Sequence, residues 1–260
     1  MKIVMRSLLL LAIIGFSNNA FADLRFGVAA EPYPPFTSKD ATGQWVGWEV
    51  DFMKTLCAIL AEKCTVVEVA WDGILPALQA TKFDVILASM SVTEKRRAVI
   101  DFSKIYYTST ALMLAAKGQP EYQLSSDISG KVIGVQSASI YQAYAQKHFV
   151  PRGAQMKVYS KQDEALSDLA AGRVDYVLGE AIALDAFLQT AQGKCCKSAG
   201  PVDYDAEIFG IGVGLGLRKS DAELKERLDK GIAELISDGT LRMITEHWHL
   251  TGKIILPSAP

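Results

Sequence analysis

The chain has little with which to do covalent or metal chemistry. Its 260 residues include three His and four Cys. His247 and His249 stand close together near the end, but two imidazoles without a third ligand beside them make no zinc centre. No Ser, His and Asp are spaced as a recognisable nucleophilic set. The Gly-interleaved stretch 209–217 lacks both the GxGxxG spacing and a following Lys-Ser/Thr, so it is no phosphate loop. No cofactor is therefore expected. Beyond residue 22 no run is apolar enough to span a bilayer, and no low-complexity tract or long linker divides the chain. Basic residues are also in deficit, 27 against 29 acidic, which makes nucleic acid and anionic membranes poor partners.

What is present begins with a leader. Lys2 and Arg6 precede an apolar run over residues 8–16, and Ala20-Phe21-Ala22 follows before Asp23. A charged n-region, a short h-region and an A-x-A site predict a secretory signal peptide over residues 1–22, cleaved after Ala22. No Cys at that site invites a lipid anchor. Loss of Lys2 and Arg6 takes the formal net charge from −2 to near −4. The expected product is exported to the periplasm, without membrane insertion, as a monomer.

Two stretches share one template. Asp72-Gly-Ile-Leu-Pro-Ala-Leu78 leads to Asp84-Val-Ile-Leu-Ala-Ser89, and Asp163-Glu-Ala-Leu-Ser-Asp-Leu169 leads to Asp175-Tyr-Val-Leu-Gly-Glu180. The matched offsets predict, in each, an Asp-capped short helix, a turn and a buried strand with a polar group at its carboxyl end. Open α/β sheets bind ligands beyond the carboxyl ends of their strands, so Ser89 and Glu180 become equivalent positions on two facing lobes.

The expected fold is α/β and two-lobed, of the type II-like flytrap kind, with two crossings. Residues 23–112 and 208–260 would form a discontinuous first lobe and residues 113–207 the second. Strands are expected at 24–28, 111–116 and 131–135, with a crossing near Lys117-Gly118. A Gly-interleaved strand within 205–217 would carry the return crossing, its glycines marking close backbone approach. Residues 48–61 have helical apolar spacing. Ser220 with Glu223 predicts a capping box for a helix carrying Leu224, Leu228, Ile232 and Leu235. Thr240 opens a last helix ending near His249. Cys57 and Cys64 are near enough to close a small loop, and in an oxidising compartment are expected to bridge. Adjacent Cys195 and Cys196 would be strained as a pair and are expected as two buried or slowly reactive thiols.

Trp71-Asp-Gly-Ile-Leu-Pro-Ala-Leu78, Asp84-Val-Ile86, Ser89-Met-Ser91-Val-Thr93-Glu-Lys-Arg96-Arg97, Asp101-Phe-Ser103, Tyr106-Tyr107, Gly130-Lys-Val-Ile-Gly-Val-Gln136 and Asp238-Gly-Thr240 together resemble one family across nearly the whole exported chain. It is that of the polar amino-acid-binding proteins of ABC importers, solute-binding family 3. Thr37-Ser-Lys-Asp-Ala41 and the Cys57…Cys64 spacing resemble its lysine/arginine/ornithine- and histidine-binding branch.

The resemblance implies a receptor that binds an amino acid, a basic one first, between the lobes and delivers it to an inner-membrane ABC permease. Opine-like derivatives or a neutral polar amino acid come next. It implies that Arg96 pairs with the α-carboxylate, Ser89 and Ser91 hydrogen-bond the α-groups, and Glu180 meets the α-ammonium. Tyr33 and Trp71 would sandwich the side chain, with Glu31 as its acidic partner. Gln136, Ser139 and Ile140 would open the second-lobe helix against the carboxylate. The family usually has Thr at the place of Ile140, so one hydroxyl contact is expected to be missing. Two other readings remain: a cyclohexadienyl or arogenate dehydratase on the same fold, using Glu31 and Glu180, and a free sensory ligand-binding module.

Overall fold

The structure is a computed structural model that describes residues 23–123 and 127–258; the expected signal peptide lies outside them. The chain lays down β1 (Leu24–Ala29), a small hairpin of β2 (Ser38–Lys39) and β3 (Trp45–Val46), α1 (Trp48–Ile59), β4 (Cys64–Val69), α2 (Ile74–Gln79), β5 (Val85–Ile86), α3 (Glu94–Arg97) and β6 (Asp101–Tyr107). It then crosses to β7 (Ala111–Ala116), β8 (Val132–Gln136), α4 (Ile140–Tyr144), β9 (Gln155–Tyr159), α5 (Gln162–Ala170), β10 (Tyr176–Glu180), α6 (Ala181–Leu188), β11 (Cys196–Pro201) and α7 (Ala206–Phe209). It returns with β12 (Val213–Leu217), α8 (Ala222–Ser237) and α9 (Thr240–His247).

Two five-stranded sheets result, ordered β4-β1-β5-β12-β6 and β9-β8-β10-β7-β11. In each, the first three strands run parallel and the fourth runs antiparallel to both its neighbours. That fourth strand is, in both lobes, the one that has just crossed from the other lobe. The repeat read from the sequence is therefore a repeat of topology. Its second Asp has one job in both copies: Asp84 accepts from the Arg25 amide at the start of β1, at 3.1 Å, and Asp175 accepts from the Val132 amide at the start of β8, at 2.8 Å. Each carboxylate satisfies a strand-end donor that would otherwise be orphaned.

The first Asp of each copy behaves otherwise than expected. Asp72 lies inside a short helical turn and Gly73 precedes α2, while Lys161 is the N-cap of α5 and Asp163 falls within its first turn. The expected capping box at Ser220 is also absent, because Asp221 is the N-cap of α8 and the Ser220 hydroxyl bonds to the Asp221 side chain. The first crossing comes before β7, at residues 108–110, rather than at Lys117-Gly118, since all of β7 pairs within the second sheet. The stretch 205–217 is not one strand. Asp205 caps α7, and the strand starts at Val213. The close approach expected of its glycines occurs at Gly212, where φ is +131° and a Cβ would come within 2.6 Å of the Thr108 side chain. The two crossings thus lie against each other.

Each sheet is covered on both faces. On one face of the first, Trp48 and Phe52 of α1 stack with Tyr106, and α8 and α9 add Leu228, Ile232, Leu235 and Leu241. The other face packs Ile74, Leu78 and Phe83. The second sheet is enclosed by clusters around Tyr144 and Phe149 on one side and Leu166, Leu169 and Leu184 on the other. A disulfide ties Cys57 of α1 to Cys64 at the start of β4. Cys195 and Cys196, expected as two thiols, are instead joined to each other, which adjacent residues achieve here at the entry to β11. No helix among the described residues is long and apolar enough to cross a membrane.

Candidate functional site

The strand order sends the carboxyl ends of β1, β4 and β5 toward the carboxyl ends of β8 and β9. The segments leaving those ends enclose a cavity with about 630 Å³ of empty space, part of it open to solvent. The first lobe contributes Glu31, Tyr33, Trp71, Ser89, Ser91 and Arg96 to its wall, and the second Gln136, Ser139 and Ile140. Nine of the ten residues singled out in the sequence are therefore brought together, from loops far apart in the chain.

Local structure explains each placement. The loop after β1 is pinned by bonds between Tyr33 and Thr37, 2.7 Å in one direction and 3.0 Å in the other. Phe36, fully buried, stacks on Tyr107, and Tyr33 stacks on Phe36. The Tyr33 ring is thereby fixed at the cavity wall, and Glu31 stands two residues before it. One oxygen of the Glu31 carboxylate is buried without a hydrogen-bond partner. Trp71 opens a helical turn directly after β4, and its indole nitrogen is likewise buried and unpartnered.

Arg96 follows from a capped helix start. The Thr93 hydroxyl accepts from the Arg96 amide, and the guanidinium folds back to donate to the Ser91 carbonyl at 2.9 Å. Its central carbon lies 5.4 Å from the centre of the Trp71 ring. Among the described residues no carboxylate pairs with it. Burial pulls its pKa down to about 10, opposed only by the nearby Tyr141 hydroxyl. Arg97 points elsewhere, toward the Phe102 ring.

Ser89 has a left-handed backbone, with φ +48°. Its amide and hydroxyl both bond to Glu49, a completely buried carboxylate on α1 that also accepts from the Tyr106 hydroxyl. Burial raises the pKa of Glu49 against the pull of those donors. Glu180 ends β10 and caps α6, accepting from the Ala183 amide at 3.0 Å. Its second oxygen is buried without a well-formed hydrogen bond, and burial pushes its pKa up to about 7 against the pull of the nearby Ser109 hydroxyl and the Ala183 amide. It is not part of the cavity wall itself, but Tyr33 and Tyr141, which are, lie within its electrostatic reach. In the second lobe, Ser139 caps α4, and its hydroxyl is fully engaged, donating to the Gln136 carbonyl and accepting from the Gln142 amide.

Reading the sequence missed Glu49, Thr37, Tyr141 and Gln162. Glu49 had a signal: with Phe52, Met53 and Leu56 it completes an i, i+3, i+4, i+7 stripe on α1, and an acid on an apolar stripe is a buried acid. Tyr141 had none, because nothing local distinguishes it from Tyr144, which is core. No group of His, Cys, Asp and Glu among the described residues could hold a metal ion.

Two similar lobes joined by two crossings, with side chains from both, charged and aromatic among them, lining one cavity, define a small-molecule-binding protein. Residues 24–251 match the bacterial extracellular solute-binding proteins, family 3, and the chain belongs to that family. It is 40% identical to the lysine/arginine/ornithine-binding periplasmic protein of Escherichia coli (strain K12) over 209 residues, 80% of each chain. It is 35% identical to the histidine-binding periplasmic protein of Salmonella typhimurium over 252 residues, 95% of this chain and 97% of the relative. Among solved structures, an ancestral arginine-binding protein bound to arginine superposes with a TM-score of 0.79 at 32% identity, covering 87% of this chain and 97% of the other.

Proposed function

We propose that this protein is a periplasmic receptor that takes a basic amino acid into the interlobe cavity and delivers it to an inner-membrane ABC permease. The observation that carries the ligand class is a pair of unsatisfied groups on one cavity: the Glu31 carboxylate, with a buried oxygen lacking a donor, and Arg96, lacking an anion. Arg96 offers a planar fork for the α-carboxylate. The second oxygen of Glu180 accepts from the α-ammonium. A cationic side chain lies between Tyr33 and Trp71, gaining about 0.5–2 kcal/mol from the rings, and ends at Glu31. Contacts from both lobes at once favour the closed state, and that difference is what a permease can read. The relatives are named for binding these same amino acids in the periplasm, and the Cys57–Cys64 bridge suits an oxidising compartment.

We read the protein as a monomeric receptor and not an enzyme, since an intact amino-acid cradle needs no further chemistry. Incubation with prephenate or arogenate is expected to give no product. Calorimetric titration with lysine, arginine, ornithine, histidine and glutamine tests the main reading. Glu31→Gln is expected to weaken the cationic ligands at least tenfold and glutamine little. Uniform losses, or a wild type that ignores every cationic amino acid, would reject the basic ligand while leaving a receptor of another specificity.

A further inference from the structure

We infer that Tyr141 supplies the second-lobe hydroxyl that meets the ligand's carboxylate opposite Arg96, an inference that rests on the receptor reading above. The carboxylate held by Arg96 needs a donor from the other lobe if closure is to depend on it. Five second-lobe residues line the cavity, Gln136, Ser139, Ile140, Tyr141 and Gln162, and the amide oxygen of Gln162 lies against Gly179 of β10. The Gln136 amide nitrogen is turned to the Ser160 carbonyl, to which it gives one of its two N–H groups at 3.4 Å. The Ser139 hydroxyl is spent on capping α4 and on the Gln136 carbonyl. Ile140 has no polar atom. The Tyr141 hydroxyl makes no hydrogen bond to the described residues, and its ring lies tilted beside that of Phe209, with 6.5 Å between ring centres.

The surroundings of that hydroxyl fit a donor to an anion. Its electrostatic neighbours are Glu180 of its own lobe and Arg96 of the other, and it is the one group that opposes the burial of Arg96. Burial holds the phenol well above its ordinary pKa, with Glu180 pushing the same way, so it keeps its proton throughout the neutral range and can donate it. A neutral donor beside Arg96 recognises a carboxylate without adding a second buried charge. It would also couple closure to ligand: the phenol finds a partner only when both the carboxylate and the first lobe are in place.

Tyr141→Phe removes one oxygen and keeps the ring beside Phe209. A hydrogen bond to a charged group contributes enough that its loss should weaken binding about 10- to 100-fold. Because every amino acid carries the same carboxylate, the loss should be equal for lysine and for any weaker neutral ligand, leaving their ratio unchanged. Titration of wild type and variant with lysine and glutamine reads this, and the unliganded melting temperature checks that the variant is folded. A crystal structure of wild type with lysine adds an independent measurement, with the phenol oxygen expected within about 3.2 Å of a carboxylate oxygen. A variant that binds as tightly as wild type, a loss confined to lysine, or a phenol remote from the carboxylate overturns the inference. A wild type that binds no amino acid instead sinks the receptor reading, and this inference with it.

Discussion

The carboxylate of Glu49 holds Ser89 by both its amide and its hydroxyl, at 2.9 and 3.0 Å. A buried acid on α1 thus sets the shape of the turn that leaves β5 and lines the cavity. The left-handed φ of Ser89 costs a non-glycine residue of order 1 kcal/mol, and three donors converging on one carboxylate offset it. Glu49→Ala would leave the Ser89 amide, the Ser89 hydroxyl and the Tyr106 hydroxyl without an acceptor in a dry core. The expected cost is about 2–5 kcal/mol of stability, read from denaturant unfolding, with weaker ligand binding in the fraction that folds. Glu49→Gln keeps one acceptor oxygen and should cost less. Equal, small effects of both would mean that the turn holds itself.

Arg96→Ala should separate binding from stability. Losing the partner of a buried ligand carboxylate costs roughly 2–5 kcal/mol, or about 30- to 4,000-fold in Kd. The unliganded protein, however, carries this cation half-buried without an anion, and burial alone depresses its pKa. Its removal should leave the ligand-free melting temperature unchanged or higher. Arg97→Ala, off the cavity, should change neither quantity. A larger binding loss at Arg97 than at Arg96 would mean that the guanidinium roles are reversed.

Proton exchange should accompany binding. Glu180 has its folded pKa raised from 4.5 to about 7 by burial. A raised acid binds its proton more tightly in the folded state, so its contribution to stability is full below pH 4.5. That contribution is lost as pH rises toward 7, by roughly 3 kcal/mol in all. Glu180→Gln should therefore flatten the decline of unliganded stability between pH 4.5 and 7. An ammonium reaching Glu180 favours its ionised form, so at pH 6 binding should release a proton and affinity should rise with pH. Calorimetric enthalpies in buffers of different ionisation heat measure the release. No buffer dependence would place the ammonium elsewhere.

Non-reducing peptide mapping should recover Cys57 with Cys64 and Cys195 with Cys196. The first bridge closes a short loop, seven residues apart in sequence, so removing it as a double Ser variant should cost near the low end of about 2–4 kcal/mol. Any peptide joining Cys57 or Cys64 to Cys195 or Cys196 would contradict the lobe arrangement.

The lobes were legible because their signals are local and periodic. Asp84 and Asp175 sit at matching offsets since both must satisfy the first amides of a neighbouring parallel strand. The cavity wall was legible only through family resemblance, because its residues come from loops that no short-range pattern ties together. Cap assignments at Asp72, Asp163 and Ser220 failed for a simple reason. An acid or hydroxyl near a helix start fits several positions, and the neighbouring backbone decides which. Glu180 was found at a strand end, but its second task as the cap of α6 depends on the chain turning directly into a helix. Tyr141 and Gln162 could be seen only once the second lobe faced the first.

The insertion of β12 between β5 and β6 has a consequence for how the chain acquires its shape. Residues 111–201 contain every strand of the second sheet in one continuous run, so that lobe can assemble as soon as it has been synthesised. The first sheet waits. Its two-residue strand β5 pairs with β1 on one side, and on the other only with β12, more than 120 residues downstream. Until residue 217 arrives, β5 and β6 present open edges, the kind of surface that invites wrong pairing. The earlier-made lobe is thus the later one to finish, because its fourth strand is supplied only after the whole of the second lobe has been laid down.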